Sequence, residues 1–103
     1  MAFEIALIPQ AVDDLRRLSA NERAKVRDAM EVHLRHQPTR VSKSRIKRLR
    51  DLSHPQYRLR VNDLRIFYDV QGEQVQVLAI IPKADADEWL KRVGQRDEIG
   101  PSE

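Results

Sequence analysis

Three arginines in this chain, Arg58, Arg60 and Arg65, have the spacing needed to hold an anion. Tyr57-Arg58-Leu59-Arg60-Val61 alternates apolar and basic residues, and Leu64-Arg65-Ile66-Phe67-Tyr68 follows after only Asn62 and Asp63. Side chains alternate across a strand, so Tyr57, Leu59 and Val61 face one way and Arg58 and Arg60 the other. Arg65, just past the turn, lies across from that pair. A guanidinium keeps its charge and offers a planar fork of donors that matches phosphate oxygens. Arginines on a solvated sheet face can serve solubility alone. Three that converge, with no acid before Asp63, also make an anion-binding surface.

The elements that must position them are three strands in an antiparallel meander. Asn62-Asp63 and Gln71-Gly72-Glu73 punctuate apolar runs that end at Val75–Ile81, which is turn chemistry. Before the meander, Ala2–Ile8 reads as a first strand with Phe3, Ile5 and Leu7 on one side. Pro9 stops it and suits the first turn of a helix. That helix runs from Gln10 to Leu18, with Val12, Leu15 and Leu18 as its stripe and Asp13, Asp14, Arg16 and Arg17 outside.

Ser19 followed by Glu22 forms a capping-box signature for a second helix from Ala20 to His36. Val26, Ala29, Met30 and His33 or Leu34 form its buried stripe, and Gln37-Pro38-Thr39 ends it. The helical hairpin is expected to cover one face of the sheet. A last helix follows Pro82, with Trp89, Leu90 and Val93 as its stripe and Gly94 as its end. The expected class is therefore α+β: an N-terminal strand, a helical hairpin, a three-stranded meander and a C-terminal helix. One domain spans 1–94, and 95–103 reads as a polar tail.

The segment from Thr39 to Gln56 is the least regular. Arg40, Lys43, Arg45, Lys47, Arg48 and Arg50 fall in it without an acid between them, while Val41, Ile46, Leu49 and Leu52 are spaced to anchor it. Residues 40–65 hold nine Lys/Arg against two acids, net +7, while the other residues hold ten against fourteen, net −4. A basic band on a mildly acidic body is the electrostatic footprint of a polyanion, most often nucleic acid, although an acidic protein also fits.

At 103 residues and 12.0 kDa the chain can build one core. It has no cysteine, so disulfides and thiolate metal sites are excluded. The run Val77–Ile81 is far too short for a membrane span, and no charged-then-apolar leader opens the chain, so a soluble cytoplasmic protein is expected. There is no Gly-rich phosphate loop. His33 and His36 are one turn apart without a third ligand, so neither a metal nor another cofactor is expected. His54, in a Ser-His-Pro turn, is either a surface residue or an acid–base group within reach of the arginines.

The order of elements, the basic-apolar-basic strand Tyr57–Val61, the strand Leu64–Tyr68 and the run from Val75 to Lys83 resemble the RelE/ParE superfamily of toxins from bacterial type II toxin–antitoxin pairs. The resemblance covers about residues 2–90 and is densest in those two basic strands, on the RelE-like side. It implies an endoribonuclease that cuts messenger RNA on the ribosome and arrests translation. Arg58, Arg60 and Arg65 would then stand around the scissile phosphate, and Lys83 after the last strand. Lys43, Arg45, Lys47, Arg48 and Arg50 would hold RNA.

The chain departs from that pattern after the last strand. RelE-type nucleases commonly carry a further arginine and then a tyrosine there; this chain reads Lys83-Ala84-Asp85-Ala86-Asp87-Glu88-Trp89-Leu90. The general base is thus unassigned. A ParE-like inhibitor of DNA gyrase without nuclease activity, or an inactive member that only binds antitoxin, shares the same features. All three imply an acidic-tailed antitoxin partner and a complex that can sit on operator DNA. The nuclease adds ribosome and message, and none involves a membrane.

Overall fold

The computed structural model describes residues 2–96. Its elements are β1 (Glu4–Leu7), α1 (Pro9–Arg17), α2 (Ala20–Leu34), β2 (Ile46–Arg48), β3 (Leu52–His54), β4 (Tyr57–Val61), β5 (Leu64–Gln71), β6 (Gln74–Pro82), α3 (Lys83–Val93) and β7 (Gln95–Arg96). Five strands form one sheet in the order β1-β6-β5-β4-β2, and β3 pairs with β7 in a second. The expected α+β class holds, with an antiparallel meander β4–β5–β6 at its centre. Two features go beyond the sequence reading: β1 runs parallel to β6, and the basic segment contributes a strand, β2, to the sheet edge.

The turns are where the sequence places them. Val61 pairs with Leu64 across Asn62-Asp63, and Gln71 pairs with Gln74 across Gly72-Glu73. Asn62 and Gly72 take φ of +53° and +58°. Asn and Gly tolerate that left-handed region best among the residues. Ser19 and Glu22 exchange the reciprocal bonds of a capping box at the start of α2.

Alternation along the strands divides the sheet into two faces. Leu59, Val61, Leu64, Ile66, Tyr68, Val75, Val77 and Ile80 pack against Ala11 of α1 and Val26, Met30 and Leu34 of α2, and this is the main core. Phe3, Ile5 and Leu7 join it from the expected side of β1. Tyr68 is fully buried, and its hydroxyl donates to the Pro38 carbonyl at 2.6 Å, which ties down the end of the helical hairpin. Burial, and secondarily Tyr57, pushes that phenol well above its ordinary pKa.

The second face is not simply solvated. Phe67, Ala79 and Ile81 are covered by Ala86 and Trp89 of α3, forming a smaller core. A register shift on β6 opposite Phe67 and Tyr68 puts both Leu78 and Ala79 on this side. Val93 and Val41, expected as anchors, are 41% and 54% exposed, because Ala86 completes the stripe of α3 and Ile46 anchors the basic segment. Gln95 and Arg96 belong to β7 although they read as tail; residues 97–103 lie outside the described residues.

Asp14 is a further correction. Periodicity puts it outside α1, yet it is only 6% exposed, and its Oδ2 accepts from the Ile80 backbone N–H at 3.0 Å. The pairing of β1 with β6 stops at Val77, so Ile80 needs another acceptor on that edge. A buried backbone donor left unpaired is costly. Asp14→Ala should therefore lower stability by about 1–3 kcal/mol in urea denaturation, the cost of orphaning a buried donor.

Candidate nucleic-acid interface

The second face turns into a cleft where α3 crosses it. Arg58 pairs with Phe67 and Arg60 with Arg65 across β4 and β5, and Arg58, Arg65 and Phe67 line the α3 side. Lys47 pairs with Arg58 from the other strand and joins them. The resulting cleft, about 420 Å³, is lined by Lys47, Arg48, Leu49 and Arg50 on one side. Arg58, Arg65 and Phe67 form its floor, and Lys83, Ala86, Asp87 and Leu90 of α3 its other side.

Arg58 has the least satisfied surroundings. Its Nε is buried without a hydrogen-bond partner among the described residues. Burial lowers the pKa of its guanidinium, and the charges of Arg65 and then Arg60 push the same way. The group remains cationic, because an arginine does not release its proton under ordinary conditions. A desolvated cation beside two like charges is an arrangement that an incoming anion would relieve.

The other arginines divide by partner. Arg65 is 7% exposed and its Nη1 donates to the Asn62 and Leu64 carbonyls at 3.0 and 2.9 Å, so it also braces the β4–β5 turn. Arg48 donates at 2.8 Å to both the Leu49 and Gln56 carbonyls and lies over the Tyr57 ring, 5.4 Å from its centroid. It holds the 49–56 turn against β4. Lys47, Arg50, Lys83 and Asp87 take part in no ion pair among the described residues.

The structure separates residues that the sequence reading grouped. Arg60 is exposed and lines a different groove, with Asn21, Glu22 and Lys25 of α2. Arg45 lies with Val32, His33 and Arg40 in a groove beside the end of α2, and Lys43 lines neither that groove nor the cleft. Burial, and then Arg45, lowers the pKa of His33. The basic run 40–50 is therefore divided, with Lys47, Arg48 and Arg50 on the cleft and Arg40, Lys43 and Arg45 away from it.

His54, expected in a turn, ends strand β3 and makes a structural bond. Its Nδ1 lies 2.7 Å from Oδ2 of the buried Asp69, whose Oδ1 accepts from the Gln56 backbone N–H at 2.8 Å. His54–Pro55 is a cis peptide. The sequence reading missed Asp87, Ala86, Leu90 and Phe67 as cleft residues. The helical spacing of Lys83 and Asp87 was the available signal, since residues four apart share a helix face. Among the described residues no group of three or more His, Cys, Asp or Glu side chains could hold a metal.

An unpartnered, partly desolvated cation should be replaceable without loss of stability. Arg58→Met should keep or raise the urea midpoint. Sulfate or phosphate should raise the melting temperature of the parent protein more than that of Arg58→Met; an equal rise would separate the anion effect from this cleft.

The family profile described as ParE toxin of type II toxin–antitoxin system, parDE, matches residues 5–86. Three solved structures share the fold. The RelE–RelB complex of Pyrococcus horikoshii OT3 is similar at 21% identity and a TM-score of 0.66, over 81% of this chain and 97% of that one. The toxin–antitoxin complex RelBE2 of Mycobacterium tuberculosis is similar at 21% identity and 0.67, over 80% and 99%. A mutant of the E. coli toxin RelE in the free state is similar at 20% identity and 0.66, over 90% and 99%. No curated protein matches the chain. Because the profile spans most of the chain, from β1 into α3, the protein belongs to the ParE toxin family and is a type II toxin of the RelE/ParE superfamily.

Proposed function

We propose that this toxin is an endoribonuclease that cleaves messenger RNA on the ribosome and so arrests translation. The observation that carries this reading is Arg58, held on a strand in a basic cleft with its Nε unpartnered among the described residues and Arg65 beside it. RNA cleavage by its own 2′-hydroxyl develops negative charge on a phosphate and on the departing 5′ oxygen. Fixed cations in a partly desolvated site stabilise such charge far better than water does. Arg58 and Arg65 suit the phosphate, and Lys83, at the first turn of α3, suits the leaving oxygen. Lys47 and Arg50 would hold the strand on either side. Arg60, Lys43 and Arg45, outside the cleft, are left for ribosomal RNA or for a protein partner.

An antitoxin is the expected partner, and similar folds have been solved as RelE–RelB complexes. An acidic segment laid in the cleft would relieve Arg58 as phosphate does, and would block the site. The complex would be able to bind operator DNA through the antitoxin. The toxin would act in the cytoplasm, where ribosomes and messages are; no described helix is long and apolar enough to cross a membrane.

One observation favours a second reading, inhibition of DNA gyrase without cleavage. Nη1 of Arg65 is already engaged by turn carbonyls, and among the described residues no tyrosine lines the cleft. An inactive antitoxin-binding member fits the same facts. Inducing the chain without its antitoxin and mapping 5′ ends on cellular messages within minutes separates the three. The nuclease yields new ends in frame with translated codons, and Arg58→Ala with Lys83→Ala should reduce them about 100-fold or more. Gyrase inhibition yields a DNA-damage response with intact messages, and an inactive member yields neither.

A further inference from the structure

Among the described residues, six basic side chains line the cleft, and one acid: Asp87. Its placement is specific to that side chain. Asp85 and Glu88, its neighbours on α3, line another groove with Arg17 and Arg92. Asp87 alone of the three faces the arginines, one helical turn from Lys83 and on the same side of α3. No ion pair engages it among the described residues, and it is exposed to solvent.

Such a residue needs a reason. A helix gains from acids in its first turn, and Asp85 is there, but the dipole effect fades beyond it, where Asp87 sits. As a solubilising charge, Asp87 would serve as well on the outer side of α3. In a site for a polyanion it opposes binding, because it repels the phosphates that the cations attract. The group is useful there only if the ligand also presents a donor. On a nucleic-acid strand, donors come from the 2′-hydroxyl of ribose and from amino groups at base edges. Only the 2′-hydroxyl lies next to the phosphate that Arg58 and Arg65 would hold.

We propose that Asp87 is the acceptor for the 2′-hydroxyl and the general base of the cleavage, an inference that rests on the nuclease reading above. As the O2′–H bond breaks, its proton passes to the Asp87 carboxylate. O2′ forms a bond to phosphorus, the bond from phosphorus to O5′ breaks, and O5′ takes a proton from the Lys83 ammonium. The products are a 2′,3′-cyclic phosphate and a 5′-hydroxyl. Solvent then takes the proton from Asp87 and returns one to Lys83, so the site is restored and no other reactant is needed. The same contact selects ribose over deoxyribose, since only ribose offers the donor.

The test is single-turnover cleavage of a message bound to ribosomes by the parent protein and by Asp87→Asn and Asp87→Glu, together with binding of a single-stranded DNA oligonucleotide. Asp87→Asn keeps the shape of an exposed helical residue, so circular dichroism should be unchanged. Loss of a general base predicts a rate about 100-fold lower or more. Binding of the DNA oligonucleotide should stay equal or tighten, because a repulsive charge is gone. Asp87→Glu should retain part of the rate, and the acid limb of the pH–rate profile should vanish in Asp87→Asn.

An Asp87→Asn protein that cleaves at the parental rate, or whose pH profile keeps its acid limb, overturns the assignment while the nuclease reading stands. Weaker DNA binding in parallel with a slower rate also overturns it, because Asp87 would then be organising the cleft. A parental protein that cuts no message overturns both.

Discussion

The stacking of Trp89 on Phe67 is the contact on which the cleft depends. Their rings lie 5.0 Å apart at 22°, and both residues are buried. Without that contact, the second face of the sheet would be an open surface bearing Arg58 and Arg65. With it, α3 is held over β5 and β6, and Lys83 and Asp87 face the guanidinium groups. Stacked aromatics add about 0.5–1.5 kcal/mol beyond the area they bury, enough to favour one seat for a short helix. The Trp89 indole N–H is buried without a partner among the described residues, a polar group given up to fix the position of α3.

The rest of the site follows from a division of labour along β4 and β5. Leu59, Val61, Ile66 and Tyr68 fill the main core, so the register cannot slip by one residue without turning the apolar set to the wrong face. The alternate positions, Arg58, Arg65 and Phe67, inherit that rigidity. A charged group on a well-packed central strand cannot relax away from its neighbours as it can on a loop, which is how Arg58 and Arg65 remain close despite their like charge. The bracing of Arg65 by turn carbonyls and of Arg48 by the 49–56 turn extends the same constraint to the cleft wall.

Much of this was legible in the sequence because it is local. The alternation from Tyr57 to Val61, the turn residues Asn62 and Gly72, and the box of Ser19 and Glu22 depend on spacing within one or two elements. They identified the helices, the meander and the facing of Arg58. What the sequence could not disclose is set by contacts distant along the chain. Asp14 looks like any outward helical acid until the β1–β6 pairing ends and leaves Ile80 without an acceptor. The basic run 40–50 looks continuous until β2 joins the sheet edge and divides it. Asp87 differs from Asp85 and Glu88 only by which groove lies beneath each one.

The same geometry bears on why a basic cleft with one acid is a workable site for a substrate but a weaker one for polyanions in general. Removing Asp87 would make the cleft uniformly cationic and a better trap for any phosphate, DNA included. Keeping it lowers affinity for the phosphates while adding one acceptor, so the loss applies to every polyanion and the compensation only to a ligand with a donor at the matching position. Specificity is a difference between affinities, and a repulsive element contributes to it as directly as an attractive one. On the nuclease reading, Arg58 then supplies attraction to the phosphate and Asp87 the discrimination between strands. Both depend on Trp89 keeping α3 where it is.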